Sequence, residues 1–253
     1  MKLIHNFKSP NFNERNSNKI ELVIIHYTAI NSLSESIKHL CSKKTRVSSH
    51  YLVSKTGDIY SLVSEKNRAW HAGQSYWQGE TDINSNSIGI ELDYDPSIKN
   101  NKYKTTIVIS LTKLLKKIIK KHQILPEKIL GHSDISPYRK KDPGINFPWS
   151  FFEKKKLAYK INFINKKTLI KELIYRWFLK YQIRSQRKKI LFMLNFIGYD
   201  ISLALKNRVN FKQLIYSYSI RYRYYKTNSH NLKRIIYVIE LHFLNIILTK
   251  LKK

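Results

Sequence analysis

Acidic side chains are scarce in this chain of 253 residues: 17 Asp and Glu stand against 47 Lys and Arg, a formal net charge of +30. Such a surface disfavours basic partners and suits anionic ones, whether nucleic acid, acidic lipid or a polymer carrying carboxylates. Lys, Ile, Asn and Tyr are abundant throughout, so compositional bias is an equally good account of the charge. Cysteine is nearly absent. Cys41 stands alone, which excludes an intramolecular disulfide and any cysteine-rich metal site, and fits a reducing compartment. Long apolar runs are missing as well. The opening MKLIHNFKSPNF lacks the apolar segment of a secretory signal, so a cytoplasmic location is expected, with a non-classical export route left open. Ile235–Leu248, IIYVIELHFLNIIL, is apolar for 14 residues but contains Glu240, His242 and Asn245. It falls short of the roughly 20 residues that span a bilayer and reads as a buried helix.

What is present divides into two parts. IELVIIHY (Ile20–Tyr27) is a β-branched run suited to a buried strand, with His26 near its C-terminal end. Ser32 and Glu35 have capping-box spacing ahead of Leu33, Ile37, Leu40 and Cys41, which share one helical face. YLVSKTGDIYSLV (Tyr51–Val63) reads as a hairpin turning at Thr56-Gly57-Asp58. SIGIELD (Ser87–Asp93) is a further strand whose Gly89 predicts close approach of a neighbour. Apolar residues from Ile107 to Ile119 recur at helical spacing within Thr106–His122, with lysines opposite, and a short strand is expected around Lys128–Leu130. Beyond Trp149 the pattern becomes helical only, broken at Gly198-Tyr199-Asp200 and around Lys226–Asn231. Charge shifts in parallel. Residues 1–150 hold 23 basic and 13 acidic side chains, residues 151–253 hold 24 and 4. The expected fold class is α/β, a mixed central sheet flanked by helices (residues 1–155), followed by a small all-α domain (166–253).

Several residues invite a chemical reading. A hydrolytic zinc site keeps three protein ligands, commonly His and carboxylate, and an open position for water. His26 at a strand end, and His132 and Asp142 on one loop, are suitable donors, although any single histidine is more often structural or solvated. Spacing alone leaves both readings open, because His26 lies over a hundred residues from the others.

Six ordered stretches carry a resemblance: SPNFNER (Ser9–Arg15), VIIHYTA (Val23–Ala29), SSHYLVSKTGDIYSLV (Ser48–Val63), RAWHAG (Arg68–Gly73), NSNSIGIEL (Asn84–Leu92) and GHSDISPYRKKDPG (Gly131–Gly144). Together they resemble the zinc-dependent N-acetylmuramoyl-L-alanine amidases of the AmiD/AmpD type, which share a fold with peptidoglycan recognition proteins. The resemblance implies Zn2+ bound by His26, His132 and Asp142, with Glu91 and Lys140 as the catalytic side chains. Glu91 would carry a proton from water to the leaving amine, and Lys140 would face the developing oxyanion. Pro143-Gly144 would hold Asp142 in a rigid turn. The implied substrate is peptidoglycan or a muropeptide, and a monomer is expected.

Trp70 and His71 resemble groove-lining positions of the family. His50 and Arg139 are further candidates for substrate contact. Each has a plainer alternative: core packing for Trp70, buried hydrogen bonding for His50 and His71, a solvated face for Arg139. Tyr138 replaces a residue that is often small and is expected to narrow the cleft. LNFIGYD (Leu194–Asp200), Phe211–Tyr225 and Leu232–Leu248 loosely resemble a three-helix peptidoglycan-binding module, in which Trp177, Tyr216, Tyr218, Tyr222, Tyr224 and Tyr225 serve either as core or as a sugar platform. A non-catalytic peptidoglycan-binding protein is the alternative function. Nucleic-acid binding through RYRYYK (Arg221–Lys226) lacks any accompanying motif.

Overall fold

A computed structural model describes residues 2–17, 19–162, 167–222 and 232–251. The first half contains β1 (Leu3–Ile4), β2 (Phe12–Glu14), β3 (Leu22–Tyr27), α1 (Leu33–Cys41), β4 (Tyr51–Val53), β5 (Ile59–Ser61), β6 (Asn67–Ala69), α2 (Ile83–Asn86), β7 (Ser87–Leu92), α3 (Thr105–His122), β8 (Ile129–Gly131), α4 (His132–Ile135) and α5 (Trp149–Lys154). The second half is helical: α6 (Lys167–Lys180), α7 (Gln186–Ile197), α8 (Ser202–Lys206), α9 (Arg208–Tyr222) and α10 (Leu232–Leu251). Gly198-Tyr199-Asp200 forms the expected break after α7. The break expected at Lys226–Asn231, with Tyr224 and Tyr225, lies outside the described residues.

Six strands form one mixed sheet in the order β1-β5-β4-β7-β3-β8, and β2 pairs with β6 in a separate antiparallel ribbon. The β4–β5 hairpin is antiparallel, whereas β4, β7, β3 and β8 run parallel to one another. Strands buried on both faces need apolar residues at nearly every position, which LVIIHY and SIGIEL supply. Ser32 caps α1 by accepting from the Glu35 backbone N–H. α3 places Ile107, Leu111, Leu114, Leu115 and Ile118 on one buried face, and its last turn carries Lys120, Lys121 and His122 where the helix dipole favours cations.

That face packs on one side of the sheet, against Val23, Ile25, Ile88 and Ile90. Leu111 is fully buried there, and its truncation to alanine is expected to cost about 2–5 kcal/mol. Side chains alternate across a strand, so Leu22 and Ile24 face the opposite way. They join Leu130, Ile135 and the buried residues of α7, α9 and α10 in a continuous apolar cluster. α10 is the buried helix expected from IIYVIELHFLNIIL, with Val238, Ile239, Leu241, His242, Phe243 and Leu244 all buried. No helix among the described residues is long and apolar enough to cross a membrane.

Candidate active site

Parallel pairing brings the chemistry to one sheet edge. His26 on β3 is in register with Glu91 on β7, and Ile25 is in register with Gly131 on β8. Residues in register on adjacent strands project to the same face, and His132 follows directly from the end of β8. Three side chains far apart in the chain therefore emerge side by side. Asp142 returns to them because the Ser133 N–H donates to the Asp142 carbonyl at 2.9 Å, closing the loop between them. Gly131 makes that closure possible: a Cβ there would lie 2.6 Å from Pro143 Cδ.

His26 Nδ1, His132 Nδ1 and Asp142 Oδ2 form a triangle with every side 3.0 Å. All three residues are buried. Tetrahedral ligands on a zinc ion at about 2.0–2.1 Å stand roughly 3.3 Å apart, so the triangle matches a bound ion to within a few tenths of an ångström.

The hydrogen bonds behind the triangle fix which nitrogens are bare. His132 Nε2 lies 3.0 Å from the Ala72 carbonyl, and only an N–H satisfies that acceptor, leaving Nδ1 with its lone pair. Ser87 Oγ donates to the Ile83 carbonyl, so it accepts from His71 Nε2 at 3.2 Å. His71 Nδ1 is then an acceptor, and it receives the His26 Nε2–H at 3.1 Å. His26 Nδ1 is left bare toward the triangle. Two imidazole lone pairs and a carboxylate converging without a proton donor could hold a metal ion. Burial first, and the closely apposed His132 ring second, lower the His26 pKa to about 4, which keeps the ring neutral and able to ligate.

Beside the triangle is a cavity of about 220 Å³, lined by His26, Glu91, His132, Lys140, Asp142 and Trp70 among others. Glu91 Oε2 is shielded from solvent and has no hydrogen-bond partner among the described residues. Burial pushes the Glu91 carboxyl up to about 8; Asp142 adds to the shift and Lys140 opposes it.

The other sequence candidates separate. Trp70 is half-buried on the cavity wall, its Nε1–H donating to Asn13 Oδ1 at 2.8 Å. His71 borders the cavity, but both ring nitrogens are committed to His26 and Ser87. It sits there because Gly89 has no side chain: a Cβ would fall 2.3 Å from His71 Cγ, the close approach expected at that glycine. His50 turns away from the cavity. It is fully buried, its Nδ1 accepting from the Gly89 N–H at 3.0 Å and its Nε2 facing Arg15 and the Asn67 carbonyl. Arg139 also points elsewhere, tying the Ala72 and Gln74 carbonyls at 2.9 Å each. Tyr138 does not narrow the cleft. Its hydroxyl reaches the helical half, donating to the Asp200 carbonyl at 2.8 Å and accepting from the Ala204 N–H. In RYRYYK, Arg221 and Tyr222 are buried and offer no stacking surface.

Sequence reasoning passed over Ser87, which sets the His71 tautomer, and Asn84, whose Oδ1 accepts from the His71 and Ala72 N–H groups. Both lie in the quoted NSNSIGIEL, but a serine or asparagine beside a strand looks like any turn residue until its partner is seen.

Residues 16–145 match the family model described as N-acetylmuramoyl-L-alanine amidase. The chain belongs to the N-acetylmuramoyl-L-alanine amidase family. It is 40% identical over 144 residues to N-acetylmuramoyl-L-alanine amidase AmiD of Escherichia coli, a match covering 52% of this chain and 51% of that protein. It is 34% identical over 161 residues to 1,6-anhydro-N-acetylmuramyl-L-alanine amidase AmpD of Haemophilus influenzae, covering 56% and 86%. The sequence match thus spans about half the length of the AmiD relative. Among solved structures, E. coli AmiD in complex with anhydro-N-acetylmuramic acid-L-Ala-D-gamma-Glu-L-Lys superposes with a TM-score of 0.73 at 26% identity, covering 93% of this chain and 98% of the other. AmpDh3 of Pseudomonas aeruginosa, in complex with anhydromuramic pentapeptide, gives 0.71 at 25% identity, covering 90% and 91%. The amidase family model ends before α5, whereas both structural matches extend through most of the chain.

Proposed function

We propose that the protein is a zinc hydrolase that cleaves the amide between N-acetylmuramic acid and L-alanine in peptidoglycan or its fragments. The observation that carries this reading is the convergence of two bare imidazole nitrogens and a carboxylate oxygen beside Glu91, whose Oε2 has no hydrogen-bond partner among the described residues. The names of the related amidases and their muropeptide complexes support the same reading.

Zinc held by His26, His132 and Asp142 would acidify a water and polarise the scissile carbonyl. Glu91 takes the proton from the attacking water and delivers it to the amine of the departing L-alanine. Its raised proton affinity suits a carrier that must hold the proton between those two events. Lys140, on the cavity wall, offers positive charge where the carbonyl oxygen becomes an oxyanion. The half-buried ring of Trp70 walls the cleft and suits the face of a sugar or peptide stem. His71 acts through His26 rather than on substrate, and Arg139 holds the 72–74 segment. Residues 166–253 are read as a diverged peptidoglycan-binding module joined to a catalytic unit of residues 1–155.

The test is zinc content measured together with mass spectrometry of products from anhydro and reduced muropeptides. Release of a free peptide beginning with L-alanine, abolished by a chelator and restored by zinc, is the expected result. Stoichiometric zinc without cleavage of either form would favour a non-catalytic peptidoglycan-binding protein instead.

A further inference from the structure

Asp134 lies two residues beyond the ligand His132 and is buried, as is its partner Arg221 on α9: their side chains are 1% and 2% exposed. Arg221 Nη1 donates to Asp134 Oδ2 at 2.7 Å, and Nη2 donates to the Ile129 carbonyl at 2.8 Å. The other carboxylate oxygen of Asp134 accepts from the Tyr199 hydroxyl at 2.5 Å, while Oδ2 also accepts from the Gly131 N–H at 2.8 Å. Asp134 therefore clamps the backbone immediately before His132, and two of its partners come from the helical half of the chain.

The contact is one of a series. Gln213, Ser217 and Arg221 recur every four residues and so share a stripe of α9. Gln213 Nε2 donates to the Tyr138 carbonyl at 2.6 Å, and Ser217 Oγ donates to the Pro137 carbonyl at 2.6 Å. With Arg221 on Asp134 and Ile129, the stripe is bonded to the loop that begins at β8 and leads to Lys140 and Asp142. Arg221 also lies over the Trp149 ring at 4.2 Å. A buried carboxylate is costly unless paired, so Asp134 cannot keep its position once the guanidinium is removed, and the turn presenting His132 loses its anchor.

We propose that Arg221 and Tyr199 are positioning residues of the metal centre: the helical half holds the His132 loop in its ligating geometry through Asp134. This rests on the metal-centre reading of His26, His132 and Asp142. Residues distant in sequence from every metal ligand would then govern metal affinity, and α9 would be part of the active-site scaffold as well as of any wall-binding surface.

The experiment measures zinc affinity of the full chain by competition with a chromophoric chelator, alongside thermal melting, for wild type, Arg221→Met, Tyr199→Phe and Leu111→Ala. Leu111 packs on the opposite side of the sheet and reports destabilisation alone. Arg221→Met is expected to bind zinc at least tenfold more weakly, Tyr199→Phe roughly threefold more weakly because it removes one hydrogen bond, and Leu111→Ala like wild type despite a lower melting temperature. Should Arg221→Met fail to fold, Tyr199→Phe decides. Wild-type affinity in the folded Arg221 or Tyr199 variants, or an equal loss in Leu111→Ala, overturns the proposal. Absence of zinc binding by wild type would instead refute the metal-centre reading itself.

Discussion

His26 Nε2 lies 3.1 Å from His71 Nδ1, and this bond decides which nitrogen of His26 is free to ligate. His71 cannot serve a substrate with the same atoms, since its Nε2 is held by Ser87. The His71 ring occupies the space left by Gly89, on the face of the sheet opposite α3.

Replacing His71 with alanine frees His26 to adopt either tautomer and to rotate. A 10–100-fold loss of zinc affinity is expected, as for other partners of metal-bound histidines. Gly89→Ala should act the same way by displacing the His71 ring. Isothermal titration of the metal-free protein with zinc checks both, and unchanged affinity in His71→Ala would exclude the relay.

In the proposed mechanism, Glu91→Gln removes the proton carrier without altering any of the three residues that would hold zinc. The variant is expected to retain stoichiometric zinc while its turnover falls by roughly 10²–10⁴. Lys140→Met is expected to lose about 10²–10³ through weaker oxyanion stabilisation. His132→Ala, in contrast, should lose metal and activity together. Metal analysis beside muropeptide turnover separates these classes; normal turnover in Glu91→Gln would remove Glu91 from the mechanism.

Gly131→Ala should disturb the centre without touching a side chain of it. The new Cβ meets Pro143 Cδ at 2.6 Å, so the chain around Asp142 must shift, at a cost of about 1–3 kcal/mol in stability. Reduced zinc affinity with a lower urea midpoint is the expected outcome. A variant as stable and as tightly metallated as wild type would contradict the close packing at this turn.

Acid stability should report His242. Its ring is buried, stacked on Tyr159 at 4.8 Å and 3.3 Å from the Tyr218 hydroxyl. Burial, reinforced by the charge of Arg221, lowers its pKa from 6.5 to about 3. The folded protein therefore favours the neutral ring. This contribution is complete above pH 6.5 and is lost as the pH falls toward 3, by up to roughly 1.4 kcal/mol per pH unit. Urea unfolding of wild type and His242→Phe from neutral pH down to about pH 4 should show the shallower slope in the variant. Parallel curves would show that this histidine is not the titrating group.

Much of this molecule was legible beforehand. Strand β3 and helix α3 announced themselves by β-branched runs and by apolar spacing, because burial on known faces imposes those periods. Gly89 signalled a close neighbour, although not which one. His50 and Arg139 were less legible: a histidine or arginine within a recognised stretch is equally compatible with facing the cleft or bracing its wall, and here both bond to backbone groups of the wall. Tyr138 misled for a related reason, since a bulky side chain next to a site can be turned into a neighbouring helix.

The sequence by itself determined the elements, the apolar faces that must be covered, and the six stretches that mark the amidase family. Those properties depend on local periodicity and residue identity. Only the tertiary structure decided that His26 lies in register with Glu91, that Ser87 sets a tautomer two hydrogen bonds away, and that Arg221 anchors Asp134 from 87 residues along the chain. These depend on strand register and helix docking. Both are set by how whole apolar surfaces fit together, and no short window of sequence contains that information.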